Sequence, residues 1–366
     1  MIRVLIVDDS ELDRKLISYS LDKEKDIEVV AKADDPYMAR ELIKTLKPDV
    51  IILDLQMPRM DGLTFLNKIM NYYPVPVIIV SAFTPKNSTY ALKALQIGAF
   101  ETLSKPGLEY DLKKFSKKLV RTIQGTEKAR IELPKKAKFN SKNQLGGQNK
   151  TINLQNADQK VIAIGSSTGG TRALENILNE LPLGLPGIVI VQHLPESFTK
   201  SFADRLNKDS VFQIKEAKDN DEIKPNNVYI APGNIHMTIH KQNNQKFIRL
   251  VQGKRVKYHR PSVDVLFNSV AEQIGSDAIG IILTGMGSDG AEGLLKMKNN
   301  GAFTIGQDKA SSVVYGMPKV AMEIGAVNTQ YQLQDIPAAL VEQVKIADNN
   351  SEKLISLSKT PQEEKI

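Results

Sequence analysis

Cysteine and tryptophan are absent from this chain of 366 residues, and histidine occurs only four times. Without cysteine there is no disulfide framework, no thiolate metal site and no thiol nucleophile. A covalent acyl-transfer enzyme made from this sequence uses Ser or Thr. Its histidine base must be His193, His236, His240 or His259. Long apolar runs are missing too: none approaches the roughly 20 residues that span a bilayer. The opening "MIRVLIVDDS" lacks a basic segment ahead of a long apolar stretch, so neither signal peptide nor membrane insertion is expected. The absence of cysteine fits a reducing cytoplasm. The charge is +7, but the basic residues are scattered rather than striped, so no nucleic-acid partner is expected.

What is present reads as two domains. In residues 1–125, "IRVLIV", "IEVVAKA", "DVIILDL", "PVIIVSA" and "FETLSK" are short apolar runs with the look of strands. Segments between them, such as "PYMARELIKTLK" and "GLTFLNKIMNYY", carry apolar residues at three- and four-residue steps, the helical period. Such alternation implies a parallel sheet covered on both faces. The expectation is a five-stranded doubly wound parallel sheet of flavodoxin-like type. Residues 126–159 are rich in Lys, Asn, Gln and Gly and read as a flexible polar linker. From 160 to 345, runs such as "KVIAIG", "GIVIVQH", "NVYIAPG", "HMTIH", "FIRLV", "AIGIILTG" and "AFTIGQ" alternate with helical patterns. They imply a larger doubly wound α/β domain of mixed strand character. Residues 346–366 read as a weakly ordered tail.

In an open parallel sheet, functional groups gather at the carboxyl ends of strands. In the first domain those ends carry Asp8 and Asp9, Asp54, Ser81 and Lys105. A lone aspartate there is commonly a helix N-cap. Three carboxylates, a hydroxyl and a lysine at successive strand ends are harder to explain that way. Converging carboxylates repel unless a cation joins them, and hard oxygen ligands suit Mg2+. An aspartate among them can attack phosphorus while the metal and Lys105 offset the charge being transferred.

"VDDS", "DLQMPRMDG", "SA" and "KP" resemble the signature of response-regulator receiver domains. The resemblance implies that Asp54 is the phosphoacceptor, that Asp8, Asp9 and Asp54 hold Mg2+, and that Ser81 and Lys105 support the site. It also implies a histidine kinase as phosphodonor. One position departs: where related receivers carry an aromatic or large aliphatic switch residue, this chain has Thr102.

In the second domain "VIAIGSSTGG" ends an apolar run in two serines. His193 closes "GIVIVQH", and Asp289 lies in the glycine-laced turn after "AIGIILTG". A serine, a histidine and an aspartate therefore follow three apolar strands, the composition of an activated nucleophile. Singly, they read as an N-cap, a strand-end histidine and a turn residue. The phosphate-cradle reading fails, because "GSSTGG" has neither G-x-G-x-x-G spacing nor a G-K-[ST] ending. It is not G-x-S-x-G either, which disfavours an α/β-hydrolase. These residues alone leave Ser166 and Ser167 both open.

"GSSTGG", "QHLPESFTKSFADRLN", "YIAPGNIHM", "HRPSVDVLFNSVA" and "ILTGMGSDGAEG" together resemble the catalytic domain of CheB-type chemotaxis protein-glutamate methylesterases. That resemblance selects Ser167 as nucleophile, His193 as general base and Asp289 as its orienter. It assigns oxyanion stabilisation to the region of Thr168 and the Met286 backbone N–H, with no metal in this domain. It implies hydrolysis of glutamate γ-methyl esters on the cytoplasmic domains of methylated chemoreceptors, and deamidation of receptor glutamines. The rival is a response regulator whose output binds DNA or a protein. The many strands, and the lack of a compact basic helix-turn-helix, argue against a DNA-binding output.

Overall fold

The computed structural model describes residues 1–82, 85–106, 112–127 and 151–358. Most of the expected linker and the last residues of the expected tail lie outside these.

The first domain runs β1 (Ile2–Val7), α1 (Glu11–Leu21), β2 (Ile27–Ala33), α2 (Pro36–Leu46), β3 (Val50–Leu53), α3 (Gly62–Tyr72), β4 (Val77–Ser81), α4 (Pro85–Ile97), β5 (Glu101–Ser104), α5 (Leu112–Thr126). Its five strands are parallel in the order β2-β1-β3-β4-β5. All of β3 and β4 is buried, as near-continuous apolar strands between two helix layers require. Each such Val, Leu or Ile contributes about 1.5–3 kcal/mol relative to exposure. Side-chain caps start the helices: Ser10 on α1, Asp35 on α2 and Asp61 on α3.

The second domain runs β6 (Val161–Ser166), α6 (Gly170–Glu180), β7 (Gly187–Gln192), α7 (Glu196–Lys208), β8 (Gln213–Glu216), β9 (Asn227–Ile230), β10 (His236–Gln242), β11 (Gln245–Val251), α8 (Val263–Gln273), β12 (Ala278–Ile282), α9 (Ala291–Asn299), β13 (Phe303–Gln307), α10 (Met317–Glu323), β14 (Thr329–Tyr331), α11 (Ile336–Ser358). Seven strands form a wholly parallel sheet in the order β14-β13-β12-β6-β7-β9-β8. The antiparallel pair β10–β11 is a separate hairpin. The mixed character expected from the sequence is therefore segregated between two sheets. The chain winds outward from β6 through β7, then crosses by α8 to β12 on the other side. This puts a topological switch point at the carboxyl end of β6.

Described residues on the far side of the expected boundaries at 159 and 345 also take part in the second domain's structure. Thr151 bridges Leu183, and Asp348 accepts hydrogen bonds from the backbone N–H of Gln155 (2.9 Å) and Asn156 (3.0 Å). Residues 151–159 thus pack onto the second domain. Helix α11 carries the chain past 345 to Ser358, because Ile336, Leu340 and Val344 bury one face at helical spacing and Asp348 extends it.

The two domains are in contact. Gln96 on α4 donates to Glu175 on α6 (3.3 Å), and the Arg121 guanidinium on α5 lies 4.2 Å from the ring centre of Tyr258. Met286, Val313 and Val314 of the second domain pack with the first-domain cluster containing Phe100, Phe115 and Ile123.

Candidate functional site

The cluster of the first domain forms where β1, β3, β4 and β5 end. Lys105 Nζ lies 2.7 Å from Asp8 Oδ2 and 3.0 Å from Asp54 Oδ2. It is also 2.8 Å from Asp13 Oδ2, a partner on the first turn of α1 that the motif reading missed. Oxygens of Asp8, Asp9 and Asp54 lie within 4.8 Å of one another, with Asp8 and Asp54 buried and Asp9 exposed. Burial pushes the Asp8 carboxyl up to about 6, against Lys105 and with help from the charge of Asp54. Burial would lower the Lys105 ammonium, but Asp13, Asp8 and Asp54 outweigh it and raise it. Two buried carboxylates and an exposed one, short of positive charge, are a donor set that a hard divalent cation fits. The hydroxyls of Ser81 and Thr102 are buried with no hydrogen-bond partner among the described residues.

The second cluster lies at the switch point. Ser166 ends β6 and pairs in register with Gln192 at the end of β7, so Ser167 and His193 are the next residues on adjacent strands. Ser167 N–H donates to Thr284 O (3.0 Å), and Ser167 O accepts from Gly170 N (2.7 Å) and Gln192 Nε2 (2.9 Å). Its hydroxyl is not used as a cap: the N-cap of α6 is Gly169, with no side-chain cap bond. Gly169 sits at φ 79°, where a Cβ would lie 2.6 Å from Val313. Across the crevice, a Cβ on Gly285 would meet Ser167 Cβ at 2.7 Å.

The two serines have different surroundings. Ser166 is fully buried and donates to Gln192 Oε1 (2.6 Å), so Gln192 ties Ser166 to the backbone of Ser167. Ser167 Oγ makes no hydrogen bond among the described residues.

His193 Nε2 is 2.8 Å from Asp289 Oδ2. Asp289 in turn accepts from Ser262 Oγ (2.7 Å), Val263 N (2.8 Å) and Asp264 N (3.2 Å). The carboxylate therefore sits on the N-terminus of α8, where unpaired N–H groups and the helix dipole favour an anion. Burial opposes its charge, but His193, Ser262 and Val263 together hold its carboxyl below the usual range. An ionised Asp289 makes Nε2 the protonated nitrogen of a neutral His193. Nδ1 is then the unprotonated nitrogen, and it is buried without a partner among the described residues.

Thr168 and Met286 both face the first domain. Thr168 Oγ1 donates to Glu101 Oε2 on β5 (2.8 Å). Met286 packs so closely on α5 that a Cβ on Gly125 would lie 1.9 Å from its methyl carbon. Neither Thr168 N nor Met286 N makes a hydrogen bond among the described residues. Only 9% of Ser167 and 8% of the His193 side chain are exposed.

Of the other histidines, His240 is exposed on the hairpin. His236 accepts from Ser262 N at Nδ1 (3.2 Å), so Nε2 donates to Lys254 O (3.0 Å) and the ring staples a loop. His259 lies flat on His193, with ring centres 3.7 Å apart and planes 3° from parallel. Burial, then the neighbouring His193, lower His259 to about 3 from its ordinary 6.5. Between those pH values the unfolded chain binds a proton at His259 that the folded chain refuses. Folding stability should therefore fall as pH drops from 6.5 toward 3, by at most about 1.4 kcal/mol per unit from this group. Urea melts across that window should show a shallower fall in His259→Phe; an equal slope would remove His259 as its source.

The sequence matches the CheB methylesterase family over residues 162–340 and the response regulator receiver domain over residues 4–116. A protein-glutamate methylesterase/protein-glutamine glutaminase of Syntrophus aciditrophicus is 48% identical over 94% of this chain and 99% of its own. One from Sulfurimonas denitrificans is 46% identical over 96% and 99%. The chain belongs to the CheB methylesterase family. The crystal structure of the Thermotoga maritima CheB catalytic domain matches half of the chain at 44% identity, with a TM-score of 0.50 and 98% of that domain covered. Among the described residues, no helix is long and apolar enough to cross a membrane.

Proposed function

We propose that this chain is a phosphorylation-controlled serine esterase of chemotaxis adaptation. It acts in the cytoplasm on glutamate γ-methyl esters of chemoreceptor cytoplasmic domains, and deamidates receptor glutamines by the same route. Ser167 Oγ attacks the ester carbonyl as its proton passes to His193 Nδ1. The oxyanion takes hydrogen bonds in the region of Thr168 and the Met286 N–H. Collapse breaks the acyl–methoxy bond, and the proton on His193 leaves with methanol. Water, deprotonated by the same nitrogen, then releases glutamate from the acyl-enzyme. With a glutamine the leaving group is ammonia. Asp289 keeps Nε2 protonated and stabilises the imidazolium without taking its proton. The observation that carries this reading is the Asp289–His193 bond, anchored on the α8 N-terminus, with Nδ1 unpartnered among the described residues and His193 following β7 in register with Ser167 after β6. Methanol release from methyl-labelled receptor membranes tests it; no release above that from unlabelled membranes would dismiss it.

Phosphorylation enters through Asp54, from a chemotaxis histidine kinase. Asp8, Asp9 and Asp54 would hold Mg2+, which supplies charge neutralisation for the incoming phosphoryl. Lys105 and Ser81 would hydrogen-bond its oxygens. Unphosphorylated, the receiver restrains the esterase: Glu101 holds the Thr168 hydroxyl, α5 covers Met286, and a receptor helix has no way to Ser167. A fragment starting at Thr151 should therefore outpace the intact unphosphorylated protein about tenfold, the factor that ~1.4 kcal/mol of docking withholds. It should also ignore acetyl phosphate. Starting at Asn153 would sever the Thr151–Leu183 bridge. A Thr151 fragment slower than the intact protein would mean that the receiver activates.

A further inference from the structure

We propose that His259 is a positioning residue of this esterase: its ring, stacked flat on His193, fixes the plane of the general base and offers an uncharged face to the imidazolium formed during attack. The inference rests on the esterase reading, with His193 as base. Asp289 holds one nitrogen of His193, and a single hydrogen bond leaves the ring free to swing about that contact. The stack removes that freedom, with ring centres 3.7 Å apart and planes within 3°. It keeps Nδ1 aimed away from Asp289 without occupying it, as a base awaiting a serine proton requires.

The loop that presents His259 is built for a fixed placement. Val256 and His259 exchange backbone hydrogen bonds of 3.0 and 2.8 Å, closing a two-residue turn. Both turn residues, Lys257 (φ 46°) and Tyr258 (φ 72°), are left-handed without being glycine. Such a turn normally selects Gly, Asn or Asp. Strained backbone persists where its surroundings over-determine it, and it clusters at functional sites. Here the surroundings are identifiable: Lys257 Nζ reaches Asp264 (2.8 Å) and Glu292 (3.1 Å), and the Tyr258 ring lies under Arg121. Arg260 ties the loop to Gly253 O (2.7 Å) and Asn234 Oδ1 (2.7 Å), and His236 staples Lys254.

The ring is also kept uncharged. The charges bearing on it are those of His193 and Asp289 in the crevice, Arg255 on its own loop and Lys118 on α5. Burial and all of these except Asp289 disfavour an imidazolium at His259. A second cation on the face of His193 would oppose the proton that His193 must accept, whereas a neutral ring accommodates it.

The test measures methanol release by the full chain, treated with acetyl phosphate, on methyl-labelled receptor membranes across pH. The intact protein is compared with Ser167→Ala and with three variants of His259. His259→Ala should lower kcat by about tenfold or more with KM changed less than about twofold, the mark of an interaction made in the transition state. His259→Phe keeps a flat, neutral ring and should recover most of that loss. His259→Arg keeps a flat group but adds a fixed cation. It should stay slow and move the acid limb of kcat/KM to lower pH, because the cation disfavours protonated His193. A purely structural role for His259 would leave that limb in place. The inference is overturned if His259→Ala keeps kcat within about twofold, if Phe is no better than Ala, or if Arg leaves the limb unmoved. If the intact protein releases no more methanol than Ser167→Ala, the esterase reading itself falls, and this inference with it.

Discussion

Ser167→Ala is expected to lower kcat on methylated receptor by about 10³-fold or more, with KM nearly unchanged. Nucleophile, base and orienter act as a unit, so deleting the nucleophile leaves only what the oxyanion donors and binding can do. KM should hold because the backbone at this position is pinned independently of the hydroxyl: Ser167 N donates to Thr284 O, and Ser167 O accepts from Gly170 and Gln192. The neighbouring serine supplies the control. Ser166 Oγ is engaged with Gln192 at 2.6 Å and is fully buried, so it is not available to a substrate. Ser166→Ala leaves Gln192 Oε1 without its donor, at a cost of about 1–3 kcal/mol of stability, and should change the rate only mildly. Methanol release and thermal melting of the two variants separate these effects. A dead Ser166→Ala beside an active Ser167→Ala would shift the nucleophile by one residue.

Strand runs and strand-end chemistry were legible in the sequence because both are local. β3 and β4 are short apolar runs, and their last residues or next neighbours are Asp54 and Ser81. β8 and β14 were not legible. "QIKE" and "TQY" lie at the two edges of the large sheet, are largely polar and have only 4 and 3 residues. Their pairing comes from neighbouring strands rather than from their own pattern. The continuation of α11 past 345 was not legible either. Residues 346–358 mix polar with apolar side chains, and Asp348 among them accepts from two backbone N–H groups nearly two hundred residues upstream. In the candidate site, the pair Ser166–Ser167, His193 and Asp289 follow apolar strands and could be found by position, while the choice of Ser167 over Ser166 came from the family resemblance. Their supports could not. Ser262, Gln192, His259, Asp13 and Glu101 act across separations that no spacing rule spans, and only the packed fold brings them into reach. Two of these come from segments with other evident duties: Ser262 also caps α8, and Glu101 opens the receiver's fifth strand.

Asp54→Asn is expected to abolish labelling of the chain by phosphorylated kinase or acetyl phosphate, and to hold methanol release at the unphosphorylated rate whatever phosphodonor is present. The substitution keeps size and removes the nucleophilic oxygen, so Asp8, Asp9 and Asp13 remain to test whether any other carboxylate can substitute. Asp54 Oδ1 accepts from Leu55 N at 2.7 Å and Oδ2 lies 3.0 Å from Lys105, which orients the carboxylate beside the cation that a phosphoryl needs. Chelating Mg2+ should block labelling of the intact chain as well, because the remaining carboxylates would repel the incoming anion. The effect on the esterase follows from the shortness of β5. Lys105 lies just beyond one end of this four-residue strand and Glu101 forms the other. A phosphoryl on Asp54 that drew in Lys105 and Ser81 would be expected to displace a strand whose far end holds Thr168. This route needs no large switch side chain, which suits a chain with Thr102, already buried, in that place. Glu101→Gln keeps the size of the side chain and weakens its acceptor. It should raise the unphosphorylated rate and shrink the stimulation by acetyl phosphate. If Asp54→Asn were still labelled at the intact level, the phosphoacceptor would lie elsewhere. If Asp54→Asn abolished labelling while acetyl phosphate still accelerated methanol release, phosphorylation and control of the esterase would be separate events.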